Sequence, residues 1–307
     1  MLGVAATRQR CHGPPMSIVI TLVADRAATS LTAPVIERVR AALGGGTAPV
    51  ILCEGEAAEF MVRDAPDLSL ARAALEHLRI DVLATKPRGR RRGLLVADMD
   101  STIVTGETLD DLAAQAGIGE KVAAITRRSM NGEIDFRQAL RERVAMLKGL
   151  ELSALEAAWR QTKLSQGAKT LVATMHAHGA MTALVSGGFT YFTSRVAQAC
   201  GFDHHRANTL LDDEYALTGE VAEPILDRDA KLAALREFAS LRGVQLSATL
   251  AVGDGANDLA MLKEAGLGIA YRAKPVVAAE MANQVDYADL RALLFAQGYP
   301  ARVFTEG

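Results

Sequence analysis

Cysteine is scarce in this sequence: three residues in 307, at Cys11, Cys53 and Cys200, far apart along the chain. No CxxC pair occurs and no histidine stands at zinc-ligand spacing. These absences exclude a disulfide framework and make a reducing, cytoplasmic setting the simpler expectation. Net charge is also low, at −2, so neither nucleic acid nor a membrane surface is expected as a partner. Long apolar runs are missing: none approaches the ~18 residues needed to span a bilayer. The longest early run, Ser17 to Ala24, is a strand's length. Arg8 and Arg10 precede it as in a signal peptide, but Pro14-Pro15 interrupts the approach. Asp25-Arg26 then closes the run without a small-residue cleavage pattern.

What is present is apolar residue in quantity. Half the chain is hydrophobic and 23% is charged, enough to bury substantial cores, and the length suits two domains. Met16 stands directly before the first strand as an alternative start, which makes residues 1–15 a dispensable, disordered leader. Two regions meet at Lys86 to Arg92, where five of seven residues are basic. With no aromatic residues interleaved, this stretch reads as a solvated linker in place of a nucleic-acid patch.

Residues 16–85 read as a small α+β domain: strand Ser17–Ala24, helix Ala33–Leu43, a break at Gly44 to Gly46, and strand Val50–Cys53. A short strand near Ala58–Val62, a helix Leu68–Leu78 and a strand Ile80–Ala84 come next. No cluster of groups suited to chemistry lies there, so a chain beginning near Arg91 is expected to fold and retain activity. Residues 93–300 read as an α/β domain with a parallel sheet, from short apolar runs at Gly93–Ala97, Leu184-Val185, Leu250–Val252 and Gly268–Ala270 that alternate with helical patterns. A helical insertion at about 107–164 exceeds a simple crossover and should form a cap above the strand ends, where α/β folds place their sites.

Four elements carry chemistry. In Leu94 to Thr102 a buried strand runs into Asp98 and Asp100, which can act as nucleophile and as general acid/base; the plainer reading is an Asx turn. Val252 to Asp258 presents Asp254 and Asp258 at another strand end, either as hard oxygen ligands or as a turn capping the next helix. Asp98, Asp254 and the backbone carbonyl of Asp100 form the partial set that Mg²⁺ favours. Ser186-Gly187-Gly188 can hold phosphate oxygens, or be a tight turn. Lys231 opens a helical pattern and can offset phosphoryl charge, or be a solvated lysine.

In this order the four elements resemble the signature motifs of the haloacid dehalogenase-like hydrolase superfamily, over Gly93 to about Tyr287. The resemblance implies a Rossmann-like parallel core with a helical cap. It implies Asp98 as a nucleophile forming an aspartyl-phosphate and Asp100 as general acid/base. Ser186 and Gly187 would bind phosphate, Lys231 would neutralise charge, and Asp254 would ligate Mg²⁺ with Asp258 in support. The insertion, with Glu107 behind the first motif and Met130 to Phe136 followed by Arg137 to Arg143, resembles the phosphoserine phosphatase branch. There Glu107 and Arg143 would recognise the ammonium and carboxylate of phosphoserine, in the last step of serine biosynthesis, and Asn257 would donate a hydrogen bond on the phosphate or substrate side. Arg143 alone also fits a surface position; Met130 and Phe136 fit either site walls or cap core. The N-terminal unit is similar to the ACT-type βαββαβ module attached to some bacterial members, which makes a homo-oligomer through it conceivable.

Other features take plain readings. His204-His205 point apart on an extended segment, Cys200 is a small buried residue near a helix end, and Asp110-Asp111 and Asp212 to Glu214 are helix-start or loop acids. Rival activities are hydrolysis or transfer on another small phosphomonoester, and serine sensing by a regulatory protein. A cation-transporting ATPase would need the membrane segments that are missing here.

Overall fold

The computed structural model describes residues 17–63, 66–130 and 133–307, without the side chains of residues 129, 130 and 228. The expected leader, Met16, Cys11, the Met130 side chain and residues 131–132 of the cap motif lie outside what is described. The central sheet has the order β12-β11-β10-β5-β6-β7 and is parallel throughout. Its strands are β5 (Leu94–Ala97), β6 (Met181–Phe189), β7 (His204–Asn208), β10 (Thr249–Gly253), β11 (Leu267–Tyr271) and β12 (Gln284–Val285). β5 lies between β6 and β10, with every residue fully buried, because helices cover both faces. That burial is why its sequence is apolar without alternation.

Between β5 and β6 stand the cap helices α3 (Thr108–Gln115), α4 (Gly119–Met130), α5 (Phe136–Ala145) and α6 (Ser153–Gln161). A Val104–Leu164 bridge joins the chain before α3 to the chain after α6. An unexpected hairpin, β8 (Leu210–Asp212) and β9 (Leu217–Val221), supports the cap from the core side. Gly149 N–H donates to the Leu217 carbonyl at 2.8 Å, and Leu217 N–H to that of Leu150 at 2.9 Å.

The N-terminal elements take the expected βαββαβ order: β1 (Ser17–Ala24), α1 (Ala33–Ala42), β2 (Val50–Cys53), β3 (Ala57–Arg63), α2 (Leu68–Ala73) and β4 (Ile80–Thr85). Their antiparallel sheet is ordered β2-β3-β1-β4. α2 is shorter than the apolar pattern suggested. It ends at Ala73 and the chain turns through His77, which adopts a left-handed φ of 68°. Ile20, Leu22 and Ala24 of β1 pack with α1 and α2, whereas Val23, together with Leu83 of β4, joins the same hydrophobic cluster as β5 and the cap. Both faces of β1 are buried, so it too reads as nearly continuous apolar residue.

The basic stretch corrects the linker expectation. Arg92 is 9% exposed and donates to the Ser247 and Gly266 carbonyls. Arg90 pairs with Glu59 at 2.6 Å and also reaches the Ala296 carbonyl, and Arg91 lies over the Tyr299 ring. Guanidinium groups suit this seam because one fork satisfies several carbonyls at once. The Asp81 carboxylate of β4 adds a second tie, accepting from the backbone N–H groups of Asp286, Tyr287 and Ala288. Asn283 exchanges two side-chain bonds with the Ala84 backbone, occupying the outer edge of β4.

Candidate active site

The strand ends of β5, β6 and β10 converge beneath the cap. Asp98 leaves β5 with its N–H donated to the Val252 carbonyl of β10, which locks the two acid-bearing loops together. Asp98 is 5% exposed, and its carboxylate stands 2.6 Å from Lys231 Nζ. Lys231 lies in α7 (Arg228–Arg242), whose first turn is capped by the Asp227 side chain. It is no solvated lysine: it is buried and makes a second 2.6 Å contact to Asp258. Burial, then Asp258, push the Asp98 carboxyl well above the ordinary range, with Lys231 opposing them. Burial alone would lower the Lys231 ammonium, but Asp258 and Asp98 outweigh it and hold it protonated.

Asp100 points elsewhere. Its Oδ1 accepts the Thr108 N–H at 2.8 Å, at the start of α3, and its Oδ2 accepts the Ser186 hydroxyl at 3.1 Å. Burial, followed by the nearby Glu107 charge, raises its pKa to about 6. A carboxyl poised there can both give and take a proton near neutral pH. Ser186 and the two glycines lie within β6, not in a loop beyond it, at a register shift between Val185 and Phe189. A Cβ on Gly188 would stand 2.8 Å from Asp100 Oδ2, so only glycine lets β6 pass this close.

Asp254 comes directly after β10 and is 4% exposed, with its pKa raised by burial. Asp258 Oδ2 accepts the Gly255 N–H at 3.0 Å. Ligand atoms of Asp98, Asp254 and Asp258 all lie within 4.8 Å of one another, the one such group among the described residues. Three buried carboxylates with Lys231 as their buried counter-ion leave excess negative charge, a donor set that fits a hard divalent cation. The Asp100 carboxylate, bonded to Thr108 and Ser186, is outside this group.

Above these acids is a cavity of about 120 Å³, lined by Asp98, Asp100, Glu107, Phe136, Arg143, Ser186, Gly187, Asp254 and Asn257 among others. Of the site residues expected from sequence, Lys231 and Asp258 do not line it; they are buried beside Asp98. Phe136, left open between wall and cap core, is a wall. Arg143 is half-buried; burial lowers its pKa against the raising effect of Asp110 and Glu107, and its Nε donates to the Ala139 carbonyl at 3.2 Å. The cavity also holds Lys274, which sequence reasoning missed. Its position three residues beyond β11, at a strand's C-terminal end, was the available signal. Ser101 was missed as well: it adopts a φ of 54° and donates to Glu107 Oε1 at 2.8 Å.

The residues given plain readings behave accordingly. His204 stacks on Phe238 while His205 meets the Thr193 hydroxyl, and Cys200 is buried beside the left-handed Gly201 that ends its helix. Asp110 and Asp111 lie in the first turn of α3, and Asp212 and Asp213 accept backbone N–H groups of the hairpin turn.

Comparison with known proteins agrees with this geometry. A family model described as haloacid dehalogenase-like hydrolase matches residues 95–263, just over half of the chain. A phosphoserine phosphatase of Streptococcus thermophilus is 48% identical over 199 residues, covering 65% of this chain and 93% of that protein. Among solved structures, a probable phosphoserine phosphatase from Vibrio cholerae in unliganded form superposes with a TM-score of 0.77 at 33% identity, covering 94% of this chain and 88% of that one. A phospho-aspartyl intermediate analogue of phosphoserine phosphatase gives a TM-score of 0.63 at 38% identity, over 67% and 98%.

Proposed function

The chain belongs to the haloacid dehalogenase-like hydrolases, and within that family we propose that it is a phosphoserine phosphatase, hydrolysing O-phospho-L-serine to L-serine and phosphate through an aspartyl-phosphate on Asp98. The observation that carries this is that Glu107 and Arg143 both line the cavity that holds Asp98, Asp100 and Asp254. A serine moiety offers an ammonium and a carboxylate, and a guanidinium fork can bind both oxygens of the latter.

Asp98 attacks phosphorus: its Oδ–P bond forms as the bond from phosphorus to the serine oxygen breaks, and Asp100 gives its proton to that oxygen. Water then attacks the aspartyl-phosphate, Asp100 takes a proton from it, and Asp98 is released with phosphate. Ser186 and Gly187 hold the phosphate oxygens and Asn257 adds a donor. Lys231 anchors Asp98 from below and offsets its charge. Mg²⁺, held by Asp98, Asp254 and the Asp100 carbonyl with Asp258 in support, would supply the positive charge that lets one anion approach another. Among the described residues no helix is long and apolar enough to cross a membrane, so none of the spans that a cation-transporting pump requires occurs there.

Phosphate release from phosphoserine, phosphothreonine, phosphohomoserine and a sugar phosphate tests the assignment. Phosphoserine is expected to give the highest kcat/KM. A sugar phosphate turned over as well as phosphoserine would leave the chemistry standing and remove the substrate.

A further inference from the structure

Lys274 joins the two halves of the site. Its backbone is fixed: its N–H donates to the Asp254 carbonyl at 3.0 Å, Arg272 before it adopts a φ of 44°, and Pro275 after it opens a short helix. From that anchor its ammonium stands 3.5 Å from Asp254 Oδ2 and 3.7 Å from Glu107 Oε1. Asp254 belongs to the acid cluster of the core, and Glu107 immediately precedes the first cap helix. Ser101 Oγ donates to the same Glu107 Oε1. Glu107 is thus held on one oxygen by a hydroxyl from its own loop and an ammonium from the core, at a cavity wall that Lys274, Glu107 and Asp254 all line.

We propose that Lys274 is a specificity-determining residue, a resident ammonium that neutralises Glu107 until the ammonium of the substrate replaces it. This rests on the reading of the site as one for phosphoserine. A ligand with an amino group gains only the difference between its own ammonium and that of Lys274. A phosphomonoester without one leaves Lys274 in place and meets a wall already neutralised. Lys274 therefore narrows the difference between the two ligands, while the bare Glu107 carboxylate would repel the anion that lacks an ammonium. The Lys274 contact to Asp254 acts on the phosphate end, which both ligands share, so it cancels from their ratio.

The test is kcat/KM for phosphoserine and for its desamino analogue, 3-phosphonooxypropanoate, in the wild-type enzyme, Lys274→Met, Glu107→Gln and the double variant. Lys274→Met should raise the preference for phosphoserine by roughly two- to fivefold, the scale of a half-exposed ion pair, through KM more than kcat. Lys274→Arg should keep the wild-type ratio. In the Glu107→Gln background Lys274→Met should leave the ratio unchanged. Equal effects of Lys274→Met on both substrates, or a ratio shift that persists in that background, would overturn the inference. Wild-type enzyme inactive on phosphoserine would overturn the substrate assignment itself, an outcome read before any variant is compared.

Discussion

Lys231 Nζ stands 2.6 Å from Asp98 Oδ1 and at the same distance from Asp258 Oδ1, with all three side chains buried. Breaking a buried ion pair from one side leaves an uncompensated charge, which costs about 3–5 kcal/mol. Lys231→Met should therefore destabilise the fold on that scale in chemical denaturation. It should also lower kcat by roughly 10²–10³-fold, because the developing phosphoryl charge loses a fixed cation. Near-wild-type turnover would remove Lys231 from the catalytic centre.

Gly188 predicts a loss of activity without a loss of fold. Its backbone is not left-handed, so alanine is conformationally allowed there. Yet the added Cβ would stand 2.8 Å from Asp100 Oδ2 and 3.1 Å from Ser186 Oγ. Displacing the acid/base by a fraction of an ångström should cost up to about 10²-fold in kcat, with thermal stability little changed. Unaltered kcat in Gly188→Ala would mean that Asp100 need not sit where it does.

Arg143→Ala should separate recognition from chemistry. It removes the expected carboxylate partner and leaves Asp98, Asp100, Ser186 and Lys231 in place. A charge-assisted hydrogen bond corresponds to roughly tenfold to a hundredfold in kcat/KM. The loss should fall on phosphoserine and spare an aryl phosphate that has no carboxylate. Equal losses on both substrates would point to damage to the cap in place of lost recognition.

Asp81 makes the seam between the sheets sensitive to pH. Burial raises its pKa from 3.8 to about 6 despite the three backbone donors. The folded chain holds that proton more tightly than the unfolded one, so this contribution to stability is fully present below about pH 4 and lost as pH rises through about 6. Relative to Asp81→Asn, wild-type enzyme should gain on the order of 2 kcal/mol of unfolding free energy between pH 7.5 and 4.5. A difference that does not change with pH would show that Asp81 titrates normally.

The positions of Asp98 and Asp100 were legible because local pattern determines them: Leu94 to Ala97 must be a buried strand, and residues just past the end of such a strand stand at the sheet's edge. Asp254 and Asp258 lie beyond β10 for the same reason. Ser186 to Gly188 read as a turn after a strand, but the glycines extend β6 through a register shift instead of ending it. The features that could not be read depend on partners distant in sequence. Arg90 and Arg92 resemble linker residues until Ala296, Ser247 and Gly266 present carbonyls to them. Asp81 gives no signal in its own neighbourhood, because its partners lie more than two hundred positions away. Lys274 has no motif in its neighbourhood, and only the closing of β11 beside β10 brings it to Asp254 and Glu107.

Chemical trapping of the intermediate bears most directly on the central claim. Borohydride added during turnover of phosphoserine reduces an aspartyl-phosphate to the alcohol, which peptide mass spectrometry locates. The modification is expected at Asp98 alone, only when phosphoserine is present, and it should vanish in Asp98→Asn together with phosphate release. Reduction at another residue, or phosphate release at the wild-type rate from Asp98→Asn, would contradict Asp98 as the nucleophile.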